Sequence, residues 1–191
     1  MRGIAVVVDG LTAQIEGLTV EAITENPRFI AAAERLARAA QGTADDEHRA
    51  RLIRALRHAG PWSAQEPYAT ERMTDLLIRT GPLHIFLTRY FADPGAWIMA
   101  HSAELWERNQ QGISGSANIL GILSVYVFPN GSVPPGEVAR VVAELQRESV
   151  IQTTRDADFL TVQMSSGGVV EPRLTEFGKA FLAFAEGELD P

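Results

Sequence analysis

Between Arg108 and Glu137 the chain has no Asp, Glu, Lys or Arg, although 21% of all its residues are charged. Residues 109–136 therefore have little to leave in water, and whatever the fold is, it has to supply cover for them. The most apolar part is Ile113–Phe128. It falls short of the roughly 20 residues a membrane helix needs, and Ser114, Ser116, Asn118 and Ser124 interrupt it. The expectation is a central helix surrounded by other helices and closed by the turn residues Pro129-Asn130-Gly131.

The chain after that segment is patterned as helix, hairpin, helix. Pro135 suits the first helical position, where its missing N–H is no loss, and Glu137 complements the helix dipole. Val138, Val141, Val142 and Leu145 recur at three- and four-residue steps and form one apolar face. Phe159–Met164 reads as a strand, because it is rich in apolar and β-branched residues. Ser165-Ser166-Gly167-Gly168 has hairpin-turn chemistry, and Val169, Val170 and Leu174 form a short return strand. Thr175 is the expected N-cap of a last helix that buries Phe177, Phe181 and Leu182.

Leu174-Thr175-Glu176-Phe177-Gly178 and the helix–hairpin order before it resemble the wing of MarR-like winged-helix regulators. The resemblance implies that Val138–Val150 occupies the recognition-helix position and that Gly81–Pro94 supplies the first helix of the unit. It also implies a DNA-binding dimer that uses Arg140 and Arg147 on the reading helix and Arg155 or Arg173 near the wing. The ending Thr175–Phe181 is similar to helical bacterial proteins of the Abi-alpha abortive-infection type, which implies a phage-defence setting. Charge argues against the DNA role. From Gln110 onward there are ten acids and five bases, and net charge is −7. Phosphate neutralisation drives DNA affinity, so an acidic reading helix is a poor match.

The N-terminal third reads as a helical preface. Ile4, Val8, Leu11, Ile15, Leu18 and Ala22 alternate steps of four and three, with Gly3, Gly10 and Gly17 at the same period. This seam packs either within the chain, the preferred reading, or against a second copy as a homodimer. The alternative of a buried Ile4–Val8 strand ending on Asp9 as a metal-nuclease carboxylate needs later strands that the pattern does not offer. Asn26-Pro27 starts a helix, and Thr43 with Asp46 imitates a capping box for the next. On that next helix Arg51, Arg54 and His58 share the most basic face in the sequence, near Trp62. It is a candidate surface for nucleic acid or an acidic partner, read in the first place as a solvated, internally paired face. Gly60-Pro61 and Pro67 bracket a connection, Thr70–Arg79 continues helical, and Pro82 starts a new helix. Asp93-Pro94-Gly95 is a turn ahead of a helix anchored by Trp97, Ile98, Leu105 and Trp106.

Chemistry is sparse. Zero cysteines exclude disulfides, thiolate metal sites and cysteine nucleophiles, and they fit a reducing cytosol. There is no phosphate-binding glycine loop, and Gly112–Ser116 lacks the spacing of a nucleophile elbow. His101 and Glu104 lie three apart, with His84 and Asp93 as companions for a metal, yet helical metal sites need matching acids from other helices. The apolar start Ile4–Val8 stops at Asp9, short of a signal peptide. The expectations are a mainly α protein with a helical preface (1–60) and a winged-helix-like module with a small β-hairpin (67–186). It is cytoplasmic, not an enzyme, without cofactor or metal, and not membrane-bound. It acts through protein–protein contacts, with itself as a homo-oligomer or with another protein, in regulation or phage defence. A DNA-binding winged-helix regulator is the alternative.

Overall fold

The computed structural model describes residues 2–63, 65–104, 107, 118–152 and 159–187. These are mainly helical, and among the described residues no β-strand forms. No described helix is long and apolar enough to cross a membrane. The chain divides into two compact units, Met1–Pro82 with Ala180–Pro191, and Leu83–Lys179.

The first unit contains α1 (Arg2–Gln14), α2 (Val20–Thr24), α3 (Pro27–Gly42), α4 (Asp46–Ala55), a 3-10 turn (Leu56–His58) and α5 (Pro67–Arg79). Asn26 caps α3 by accepting from the N–H groups of Arg28 and Phe29 at 3.0 and 3.1 Å, and Pro27 follows at a position that needs no donor. The cap of α4 is Asp45 and not Thr43. Its carboxylate accepts from Glu47 and His48 N–H at 2.9 and 3.1 Å, and an anion there also meets the helix dipole. Thr43 instead accepts from Asp45 N–H one turn earlier.

The N-terminal seam is interrupted. Helix α1 stops at Gln14, and Gly17 sits at φ 80°, a left-handed conformation that glycine adopts without a Cβ penalty. Thr19 then caps α2. Val8 and Leu11 are buried, and α1 lies against α4 and the 3-10 turn, so this part of the seam is used within the chain. Ile4–Val8 lies inside α1, which removes the strand-end reading of Asp9.

The second unit contains α6 (Pro82–Ala92), α7 (Pro94–His101), α8 (Ile119–Ile122), α9 (Pro135–Arg147), α10 (Ser166–Val169) and the first turn of α11 (Glu176–Glu186). Asp93 caps α7, accepting from Ala96 N–H at 2.8 Å. Helix α8 widens into a π-helical turn, Leu123–Val127, closed by Phe128 N–H on Leu123 O at 2.7 Å. The expected enclosed central helix is in fact one-sided. Ile119, Ile122, Leu123 and Phe128 are buried, whereas Val125 is 61% exposed. The other residues of that expectation, 109–117, lie outside the described residues, as do Leu105 and Trp106. Val138, Val141, Val142 and Leu145 of α9 are all buried, as their spacing requires. Tyr90 and Phe91 meet edge to face at 5.2 Å, and Tyr90 meets Trp97 at 5.6 Å in the same core.

The expected β-hairpin over 159–172 does not form. Phe159 and Leu160 are both buried, which breaks the two-residue alternation of a half-buried strand. Gly167 and Gly168 are not in the positive-φ conformation a tight hairpin demands. Ser165 instead accepts from Gly168 N–H at 3.3 Å and caps the single turn of α10. Among the described residues, antiparallel pairing is confined to one bridge, Ile151 with Leu174, flanked by Gln152 N–H on Arg173 O at 2.9 Å. Next to it Thr175 caps α11, accepting from Gly178 N–H at 2.9 Å and donating to Ser149 O at 2.5 Å.

Candidate functional site

The surface of α9 is a closed charge network. Arg140 grips Glu137 through two bonds, Nε to Oε2 at 3.0 Å and Nη2 to Oε1 at 2.6 Å, and also pairs with Glu144. His84 of α6 donates from Nε2 to the other oxygen of Glu144 at 2.9 Å. The His84 hydrogen bond, above all, holds Glu144 below the ordinary carboxylate range; burial opposes it, and the Arg140 hydrogen bond adds to the lowering. Glu137 is held down in the same direction, chiefly by its bond to Arg140. The guanidinium face of Arg140 is thus shared between two carboxylates of its own helix. Arg147, near the end of α9, is exposed.

Arg173 lies inside the second unit. It is 6% exposed, donates from Nη2 to Gly168 O at 2.7 Å, and places its guanidinium 5.2 Å from the centre of the Phe159 ring. It thereby holds α10 against the core, and it presents no free fork to a partner. Arg155 lies outside the described residues.

The basic face of α4 also points inward, although its composition reads as solvated. Arg51 is 3% exposed and paired with Glu47, and His58 is 2% exposed with its ring 5.3 Å from Phe184. Burial, with help from Arg57, pushes His58 down to about 4, so it is neutral at physiological pH. His48, one turn before Arg51, is lowered in the same direction, first by burial. Arg54 is half-buried, and its side chain lies beside Gly187. Arg51 and His58 are thus part of the buried interior of the first unit.

His58 also lines a cavity of about 650 Å³ in the same unit. Helix α3 contributes Arg28, Ala31, Ala32 and Arg35; the loop after the 3-10 turn contributes Gly60, Pro61 and Glu66; and α5 contributes Tyr68, Thr70, Glu71 and Thr74. Two of these residues carry buried polar atoms without a hydrogen-bond partner among the described residues, His58 Nδ1 and Thr70 Oγ1. Arg35 is paired with Asp75 and lies 3.7 Å from Glu71. Arg28 and Glu66 enter no ion pair among the described residues. The volume lies within the roughly 300–1,000 Å³ usual for small-molecule sites. In the sequence this region reads only as a connection at Gly60-Pro61 and Pro67, because a cavity is a property of three packed segments and of no single one.

Three of the four metal candidates have tasks of their own. His84 bonds to Glu144, Asp93 caps α7, and His101 stacks on Trp97 with ring centres 4.4 Å apart. Among the described residues no three His, Asp or Glu side chains gather at metal-binding distance. Comparison of the chain with protein-family models, with curated proteins and with solved structures found no match.

Proposed function

We propose that the protein is non-catalytic and works through protein–protein contacts, its own copy being the first partner to test, in a regulatory or phage-defence setting. The observation that carries this reading is how the cations of the expected DNA surface are committed. Arg140 is closed between Glu137 and Glu144, and Arg173 is buried under α10. A phosphate backbone needs free guanidinium and ammonium groups whose counterions it can release, and α9 offers Arg147 alone. A protein surface of mixed charge makes no such demand, since alternating charges at an interface rim set register and orientation. Apolar side chains available for such a contact include Val6, Tyr68, Met99 and Val125, each more than half exposed.

Sedimentation equilibrium and light scattering over a wide concentration range test the reading. Reversible self-association that is insensitive to moderate salt supports it. A strict monomer at every concentration, combined with salt-sensitive binding to duplex DNA, overturns it in favour of a winged-helix regulator.

A further inference from the structure

We propose that Asn130 is a site of self-modification, at which the side-chain amide is lost through an imide closed onto Gly131, leaving aspartate or β-linked isoaspartate. The reaction needs an uncommitted carboxamide carbon and a following backbone nitrogen that can reach it. The chain has four asparagines, at 26, 109, 118 and 130, and three of them lie among the described residues. Asn26 fails on both counts. Its side-chain oxygen caps α3 by accepting from the N–H groups of Arg28 and Phe29, and Pro27 has no N–H to lose. Asn118 caps α8, accepting from Gly121 N–H at 2.6 Å, and the β-branched Ile119 that follows it is buried.

Asn130 meets both demands. Asn130 and Gly131 are exposed, and the Asn130 carboxamide enters no hydrogen bond among the described residues. The two residues sit at φ 59° and 69°, a left-handed pair that few sequences other than Asn-Gly accept. Ser132 N–H closes this 3-10 turn, Pro129–Gly131, on Pro129 O at 3.3 Å, which is long for an amide bond. A Cβ built on Gly131 would find nothing within 4 Å. Rotation about Asn130 ψ, which brings the Gly131 nitrogen onto the side-chain carbon, therefore meets no packed neighbour. Asp9-Gly10 pairs similar residues, but it lies inside α1, where the helix fixes the backbone.

The step balances without an external oxidant or reductant. The Gly131 amide nitrogen gives up its proton and bonds to Asn130 Cγ, and the side-chain nitrogen leaves as ammonia. Solvent water then opens the imide. Attack at Cγ restores the main chain with aspartate, and attack at the backbone carbonyl carbon reroutes the chain through the β-carbon. Either product places the first carboxylate within residues 109–136, and the β-linked one also lengthens the turn that leads into α9.

The test is peptide mapping by mass spectrometry after incubation of the full chain in heavy-oxygen water, with a urea-unfolded sample alongside. In the folded chain the Asn130 peptide should exchange NH2 for a labelled OH and split into aspartate and isoaspartate forms. Conversion should speed up as pH rises, since the attacking nitrogen must lose its proton, and it should run at a rate comparable with that in urea. Asn118 should convert only in urea, and Asn130→Gln, which would have to close a larger ring, should lose the conversion. An Asn130 that stays intact in the folded chain overturns the proposal, whether or not it converts in urea. So does an Asn118 that converts as fast as Asn130 in the folded chain.

Discussion

Replacing Gly178 by alanine puts a methyl group where the structure has a carbonyl. An ideal Cβ built on Gly178 lies 2.1 Å from Val150 O and 3.0 Å from Val150 C, whereas real Cβ contacts essentially never fall below 3.0 Å. The obstacle is backbone, so no side chain can swing away. Val150 O also accepts from Thr175 N–H at 3.0 Å, and Val150 N–H donates to Leu145 O at 2.8 Å, so the residue is tied through both its C=O and its N–H. Separating α11 from Val150 by the missing 0.9 Å, from 2.1 to 3.0 Å, loosens those bonds together with the Thr175 cap. Overpacking costs about 1–3 kcal/mol and a weakened hydrogen bond about 1, while alanine returns about 1 in helix propensity, so the net loss is about 1–3 kcal/mol. For a chain of this size that corresponds to a fall in Tm of about 2–12 °C. Gly136→Ala is the control, because it lies in α9 with nothing within 4 Å of the added methyl. It should be neutral or slightly stabilising. Urea denaturation followed by circular dichroism measures both variants. Equal midpoints for Gly178→Ala and Gly136→Ala would refute the close approach of α11 to Val150.

Acid should begin to destabilise the protein near pH 6.5, well above the ordinary carboxylate range. His58 is lowered from 6.5 to about 4 by burial, so below pH 6.5 the unfolded chain takes up a proton that the folded chain refuses. Stability is therefore complete above pH 6.5 and falls by about 3 kcal/mol between pH 6.5 and 4, with His48 adding in the same direction. His58→Leu, which keeps a side chain against Phe184, should flatten that slope in denaturation measured across this range, and an unchanged slope would remove His58 as its source. Arg173→Ala should cost about 2–4 kcal/mol by leaving Gly168 O and the Phe159 face without their partner. The loss would appear in thermal melts, and a variant as stable as the parent would show that Arg173 does not hold α10.

Local signals were readable where the physics is local. Pro27, Pro82 and Pro135 each open a helix because a first-turn position loses nothing by lacking an N–H. The spacing of Val138, Val141, Val142 and Leu145 marked the buried face of α9, and Thr175 was legible as a cap. Ser165 shows where such reading ends. A serine before two glycines serves a hairpin turn and a helix cap equally well, since both use the same hydroxyl-to-N–H bond, and packing chose the cap. The basic face of α4 misled for a related reason. The spacing of Arg51, Arg54 and His58 says nothing of whether they meet water, which depends on α1 and on Phe184, both distant in sequence. Arg140 was legible as exposed, and its three- and four-residue spacing to Glu137 and Glu144 already contained the pairing that closes it. The cavity had no sequence signal, because Arg28, His58 and Thr70 are united only by tertiary packing.

Internal commitment of the cations of α9 and of the segment after it is tested most directly by fluorescence anisotropy with labelled duplex DNA of mixed sequence at about 50 mM salt, where phosphate contacts are strongest. No saturable binding is expected, and no change when Arg140 is replaced by alanine. Saturable binding that weakens steeply with added salt and is lost in Arg140→Ala would show that these cations are free for phosphate after all.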